Sequence, residues 1–201
     1  MRTLLICFSL FAFSFSLAAQ TDSGFTNKAE ATNLKVNNQK DGKWCEEQDE
    51  QWGKFYQLIV YKLGKAQGIA RKYDAKGNLR VVDFYTNGVP DGTEKIYGEK
   101  GNLQYEIPYV AGKENGIEKV YGEHGNVLYE IPFKDDKIVG VEKVYYDGGQ
   151  LFYEVPYTNG NMDGVQKGYL GNGKEKFETT YSNGKAGATK TFDDNGNEVK
   201  Q

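Results

Sequence analysis

The sequence is poor in the residues that usually carry catalysis or staple a small fold. Its 201 residues include one histidine, two cysteines, two methionines and four prolines. The single histidine, His124, has no second histidine, nearby cysteine or serine partner pattern, so a zinc site or a catalytic triad lacks its parts. Its sister positions hold Lys76, Lys100, Gly148 and Asn172, which reads as a solvated turn residue. Positive charge is not in excess either: 25 basic side chains face 28 acidic ones, for a net charge of -3 and a pI near 5.4. A general phosphate-backbone binder needs the opposite balance, so no nucleic-acid partner is expected. No glycine-rich loop leads into a helix, which removes the usual phosphate cradle. No cofactor and no metal are expected, and the chain is not expected to be an enzyme.

A long apolar run is also missing, apart from one short stretch at the start. Met1-Arg2-Thr3 is a basic lead, Leu4 to Phe15 is almost wholly apolar, and Ser16-Leu17-Ala18-Ala19 supplies small residues. The run is too short to span a bilayer as a helix and fits a secretory signal over residues 1–19. Export to the periplasm, the outer envelope or the medium follows as an expectation. Loss of Arg2 and Cys7 with that segment leaves a net charge of -4 and one cysteine, Cys45. A lone thiol makes no internal disulfide, so Cys45 is either buried in the first repeat or free to pair with another chain. Burial is the expectation, because free cysteine is among the most buried residue types. Residues 20–39 are polar and aperiodic and read as a flexible lead-in, with a short helix weakly signalled around Lys28 to Leu34.

What the chain has in quantity is tyrosine, phenylalanine and glycine, at 15, 11 and 25 residues. Aromatics favour pleated half-buried surfaces and glycine supplies the turns between them. These residues recur at a fixed interval. Gly68, Gly92, Gly116, Gly140 and Gly164 fall 24 residues apart, with Gly187 following 23 later. Tyr61, Tyr85, Tyr109, Phe133, Tyr157 and Tyr181 keep the same spacing, as do Gly53, Gly77, Gly101, Gly125, Gly149 and Gly173. Such a period marks a repeat architecture, with irregular end units acting as caps.

One unit reads as a β-hairpin. Val127, Tyr129, Ile131 and Phe133 alternate with Leu128, Glu130 and Pro132, which is strand patterning. Gly122 to Asn126 forms a hairpin-length loop, and Asn87-Gly88, Asn159-Gly160 and Asn183-Gly184 mark the turns between units. Two turns per 24 residues leave no room for a crossover helix. The fold class is therefore all-β, an antiparallel meander of repeated hairpins over residues 40–201 forming an elongated twisted single sheet or open ribbon. Pro108, Pro132 and Pro156 cannot donate to a ladder, so pairing is expected to stop or bulge there and bend the sheet once per repeat.

The phrase Asp-Gly-x-x-Lys-x-Tyr, a turn glycine, then Leu-x-Tyr-Glu-x-Pro-Tyr and Asn-Gly-Lys resembles the bacterial variant of the MORN repeat. The copies that carry it best are Asp91 to Gly112, Asn115 to Lys134 and Asp163 to Lys185. The chain also resembles the YwqK-type antitoxin family, which is built of such repeats, and that likeness implies a toxin as partner.

Two kinds of surface residue stand out for function. Arg71, Lys95, Lys119, Lys143, Lys167 and Lys190 hold one repeat position, Glu106, Glu130, Glu154 and Glu178 a second, and Glu94, Glu118 and Glu142 a third. They read either as neighbouring rows that offset one another and protect the ribbon from stacking on itself, or as a periodic charged surface for an extended partner. Equivalent glutamates in every unit argue against a glycosidase pair at one special site. Leu128 and Phe152, opposite the Tyr-Ile-Phe series, either form an apolar strip for a partner or lie under the polypeptide before Asp41. Trp44 and Trp52 belong to the divergent first unit, where copies disagree. Asp193 to Glu198 has the composition of a calcium loop without its twelve-residue spacing or terminal glutamate. The interaction surface is thus expected among Trp44, Trp52, Lys95, Lys119, Lys143, Lys167, Leu128 and Phe152. The expected role is an exported protein-binding or scaffold module for a protein partner, antitoxin- or immunity-like. The alternative is a module of the envelope surface that contacts membrane or cell wall and binds glycan or lipid.

Overall fold

The computed structural model describes residues 25–50 and 53–199. The expected signal segment and Trp52 lie outside the described residues. Among the described residues, one 19-stranded sheet accounts for nearly all regular structure. Strands that are neighbours in sequence pair antiparallel, hairpin after hairpin, from Leu34–Val36 to Lys185–Thr191. The expected meander is what forms. Among the described residues no helix is long and apolar enough to cross a membrane.

Two kinds of turn alternate. Between units the chain reverses over two residues in positive φ, as at Asn87 (53°) and Gly88 (88°), or Asn159 (51°) and Gly160 (85°). That is the type I′ geometry whose twist matches the flanking strands. These turns also join across units: the Gly112 N–H donates to the Pro90 carbonyl at 2.7 Å, and the Gly160 N–H to that of Ile138 at 2.9 Å. Within a unit the hairpin tip closes over five residues, with the Gly122 N–H donating to the Asn126 carbonyl at 2.9 Å. Pairing then shifts by one residue, because Tyr121 faces Val127 while Val120 faces Tyr129. Leu128 is the extra residue of that bulge, and Phe152 is its counterpart one unit on.

The prolines sit beside a second irregularity. Pro108, Pro132 and Pro156 lie in regular register with Thr93, Ile117 and Val141 inside their own hairpins. The break is on the other side, toward the next unit. There residues 115–118 span only 107–108, between the pairs Glu114–Tyr109 and Lys119–Glu106. The Pro108 carbonyl still accepts the Asn115 N–H at 2.8 Å, so the missing proline donor points into the gap. Gly116, at φ 130°, closes on the ring; a Cβ there would meet Pro108 at 2.8 Å. The break also occurs where no proline stands, with Asp91 donating to the Phe84 carbonyl and Gln67 to that of Val60, each at 2.8 Å. Proline fits the bulge and does not create it.

The lead-in is more ordered than its polarity suggests. Instead of a helix over Lys28 to Leu34 there is a single 3-10 turn, Lys28–Glu30, whose start is capped by the Asn27 side chain. A strand follows, Leu34–Val36, turning through Asn37-Asn38 onto Gln39–Asp41. Phe25 is fully buried. Among the described residues Leu58, Ile59, Ala66, Ile69 and Ala70 complete the buried apolar set of this end, and only Val155 is buried far from it.

Candidate functional site

Register assigns each side chain to a face, because successive residues of a strand point to opposite sides. On one face, here the front, two of the three expected charged rows fall into a single line from Lys95 onward, while Glu94, Glu118 and Glu142 lie on the other face. Lys95 faces Glu106, which faces Lys119, which faces Glu130, and the sequence continues through Lys143, Glu154, Lys167, Glu178 and Lys190. The basic and acidic rows are one alternating ladder. Lys95 reaches Glu106 at 3.1 Å, and Lys167 reaches Glu178 at 2.9 Å and Glu175 at 3.2 Å. These groups are about one-quarter to two-fifths exposed, so each contributes a few tenths of a kcal/mol at most.

Each ladder carboxylate of the middle units also receives a tyrosine hydroxyl. Tyr121 donates to Glu106 at 2.6 Å, Tyr145 to Glu130 at 2.9 Å and Tyr169 to Glu154 at 2.7 Å. Burial, followed by the neighbouring carboxylate, pushes all three phenols up to about 12. The Tyr121 bond and then Lys95 hold the Glu106 carboxyl below its ordinary range, against a smaller opposing effect of burial. Lys167 is raised chiefly by its bonds to Glu178 and Glu175. The front face is therefore densely charged but locally neutral.

Beside the ladder runs an apolar strip. Ile117 and Pro132 face each other, as do Val141 and Pro156, and Val165 faces Thr180. Ile117, Val141 and Val165 are 53%, 45% and 42% exposed. They were not among the candidates, because a β-branched residue in a strand reads as core.

The back face has a different row, Val81, Ile96, Tyr105, Val120, Tyr129, Val144 and Tyr153, each opposite the next. Tyr105 and Tyr129 are exposed. Acidic groups lie in the same face. Burial, and secondarily Glu94, lifts Asp83 to about 6, and burial raises Glu94 and Glu118 as well.

The other candidates are dispersed. Trp44 packs on the Ile59, Ala66 and Ala70 cluster with Tyr61 and Tyr85, and its indole N–H donates to the Leu34 and Asp41 carbonyls, each at 3.1 Å. It is part of the cap's core. Phe152 lies 4.5 Å from Tyr146 and 3.8 Å from Tyr153 between ring centres, and Leu128 is half-buried. The described lead-in covers neither of them; it lies over the first units, against Arg71, Glu47 and Tyr56. Cys45 is a half-buried free thiol raised by burial. His124 is at an exposed tip 3.7 Å from Asp147. The Asp193 carboxylate accepts the N–H groups of Asn195 and Asn197, as Asp74 does for Lys76 and Asn78, so both are committed to their own turns.

No curated protein matches the chain. Three consecutive stretches, residues 90–111, 114–135 and 138–159, match the family model of the MORN repeat variant. The third matched stretch lies one unit before the expected Asp163 to Lys185. The middle of the ribbon is thus made of repeats similar to the MORN repeat variant, a unit consistent with a repeat-based protein-binding module.

Proposed function

We propose that the chain is an exported, non-enzymatic repeat module that binds another protein along the open ribbon. The specific form suggested by the YwqK-type likeness is an antitoxin- or immunity-like neutraliser, with scaffolding of an envelope assembly as its general form. The observation that supports the reading is the front face of residues 93–180. There an exposed apolar strip and a neutral charge ladder run side by side and repeat unit by unit. A site for one small substrate needs a unique convergence of groups; a periodic surface instead suits a macromolecule that contacts several units. Affinity capture of the full chain from the native envelope is expected to return one protein in stoichiometric amount. Repeated recovery of the chain alone overturns the reading.

A glycan- or lipid-binding module of the envelope surface is the alternative, and the exposed Tyr105 and Tyr129 favour it. Its basic row, however, is interleaved with glutamates, which cancels the field that would hold an anionic surface. Sedimentation with liposomes or cell wall at two salt concentrations separates the two readings, and absence of sedimentation at both removes this one.

A further inference from the structure

One repeat position is buried at the start of the sheet and exposed from residue 117 to residue 165. Ile69, Ile117, Val141 and Val165 are equivalent residues on the front face, separated by multiples of 24. Ile69 is 6% exposed, whereas the other three are 42% to 53% exposed. The segment lying over the front face at the first units is the lead-in. Phe25 is completely buried there, and its carbonyl accepts a hydrogen bond from Arg71 Nη1 at 3.3 Å. Arg71 holds the repeat position that Lys119, Lys143 and Lys167 hold farther on. Lys43 places its ammonium 5.2 Å from the Phe25 ring centre and pairs with Glu30. Lys28 pairs with Glu47 at 2.6 Å.

The molecule thus shows how its front face holds a polypeptide. An aromatic side chain is buried on that face beside the Lys43 ammonium, its main-chain carbonyl turns to Arg71, and the Glu30 carboxylate five residues later reaches Lys43. The face over residues 93–180 presents an apolar strip that nothing covers, Ile117, Val141 and Val165, and beside it Lys119, Lys143 and Lys167 in the repeat position of Arg71.

We infer that this uncovered stretch is the docking surface for an extended segment of a partner protein, one carrying an aromatic side chain followed within about five residues by a carboxylate. Charge complementarity sets the second requirement. The lysines alternate with glutamates, so a uniformly acidic or uniformly basic segment meets as many repulsive as attractive positions. A short aromatic-then-acidic segment meets one lysine and avoids the glutamates. This inference rests on the protein-binding reading and names the surface that does the binding.

The test is peptide display panned on the full chain, with two variants read in parallel. In I117K/V141K/V165K the exposed strip becomes charged; all three sites are open to water, so far-UV circular dichroism should match the parent. In K119Q/K143Q the strip is intact and only the ladder cations are lost. Enriched peptides are expected to share the aromatic-then-acidic spacing and to bind each variant at least about tenfold more weakly, a change of about 1.4 kcal/mol. Equal binding to parent and variants overturns the surface assignment and leaves the protein-binding reading standing. A parent dimer in sedimentation equilibrium that I117K/V141K/V165K abolishes also overturns it, because the strip then belongs to a second copy. Failure to enrich any peptide, together with recovery of the chain alone from the envelope, removes both.

Discussion

The first two units and the units after them are cut from one pattern and held together in different ways. Within residues 25–50 and 53–86 the sheet carries buried side chains on both faces. Phe25 and Leu58 are fully buried in front, and Ile59, Ala66 and Ala70 pack behind with Trp44, Tyr61 and Tyr85. Each fully buried large side chain stabilises by about 1.5–3 kcal/mol. Beyond residue 90 the side chains are half-buried or exposed with few exceptions, and the sheet is a single layer. Its contributions are many and small: tyrosine-to-glutamate hydrogen bonds of about 1 kcal/mol each, ladder pairs of a few tenths, and tight turns. The difference teaches that a repeat does not need its own core if a neighbour is already folded. Each later hairpin is held by pairing with the hairpins on either side of it.

Four substitutions test that contrast, from the largest effect to the smallest. Phe25→Ala removes the residue that closes the front face of the first units. Loss of about 3–5 kcal/mol is expected in urea unfolding, with amide exchange rising first in 39–74. A shift within the range of ordinary surface changes would mean that the lead-in is no part of the core. Asp83→Asn acts through pH. Asp83 is raised by burial to about 6, so the folded state favours its neutral form. Stability is therefore highest below the ordinary aspartate range and falls as pH rises through about 6. The variant should be more stable than the parent by about 3 kcal/mol at pH 8 and equal to it near pH 3.5; a constant difference across that range would break the argument. The groups bearing on this carboxyl are Glu94, which raises it further, and Lys72, which opposes.

Tyr121→Phe samples the ribbon. It should cost about 1 kcal/mol and move the Glu106 carboxyl to a higher titration midpoint by NMR, since the Tyr121 bond is the main cause of its lowering. Lys143→Gln should cost only a few tenths of a kcal/mol, and that cost should vanish in high salt. Together the last two ask whether the ribbon draws more from hydroxyl bonds than from charge.

Much of this was legible in the sequence, and what was not has identifiable causes. The 24-residue spacing of Gly116 and its sisters, the alternation of Val127 to Phe133, and Asn159-Gly160 are local signals, and hairpins are local objects. That Lys119 and Glu130 belong to one line with Glu106 and Lys143 was not legible. It depends on two bulges, the extra Leu128 at the tip and the two extra residues opposite Ile107-Pro108, and each resets which residue faces which. Phe25 was missed for another reason. It is a lone aromatic in a polar segment, and only the three-dimensional path brings it onto Arg71. The bare strip of Ile117, Val141 and Val165 was hidden because the pattern of a buried β-branched position is the same whether or not anything covers it.

The alternation of the ladder restricts how such a protein changes in length. From Lys95 onward every unit adds one lysine strand and one glutamate strand, so loss or gain of a whole unit there leaves opposite charges facing across the new junction. Loss of a single strand would reverse the chain direction and set lysine against lysine. Length therefore comes in quanta of two strands, about 10 Å each. A lineage that duplicates or deletes hairpins would resize the ribbon in those increments while keeping the chemistry of each increment unchanged.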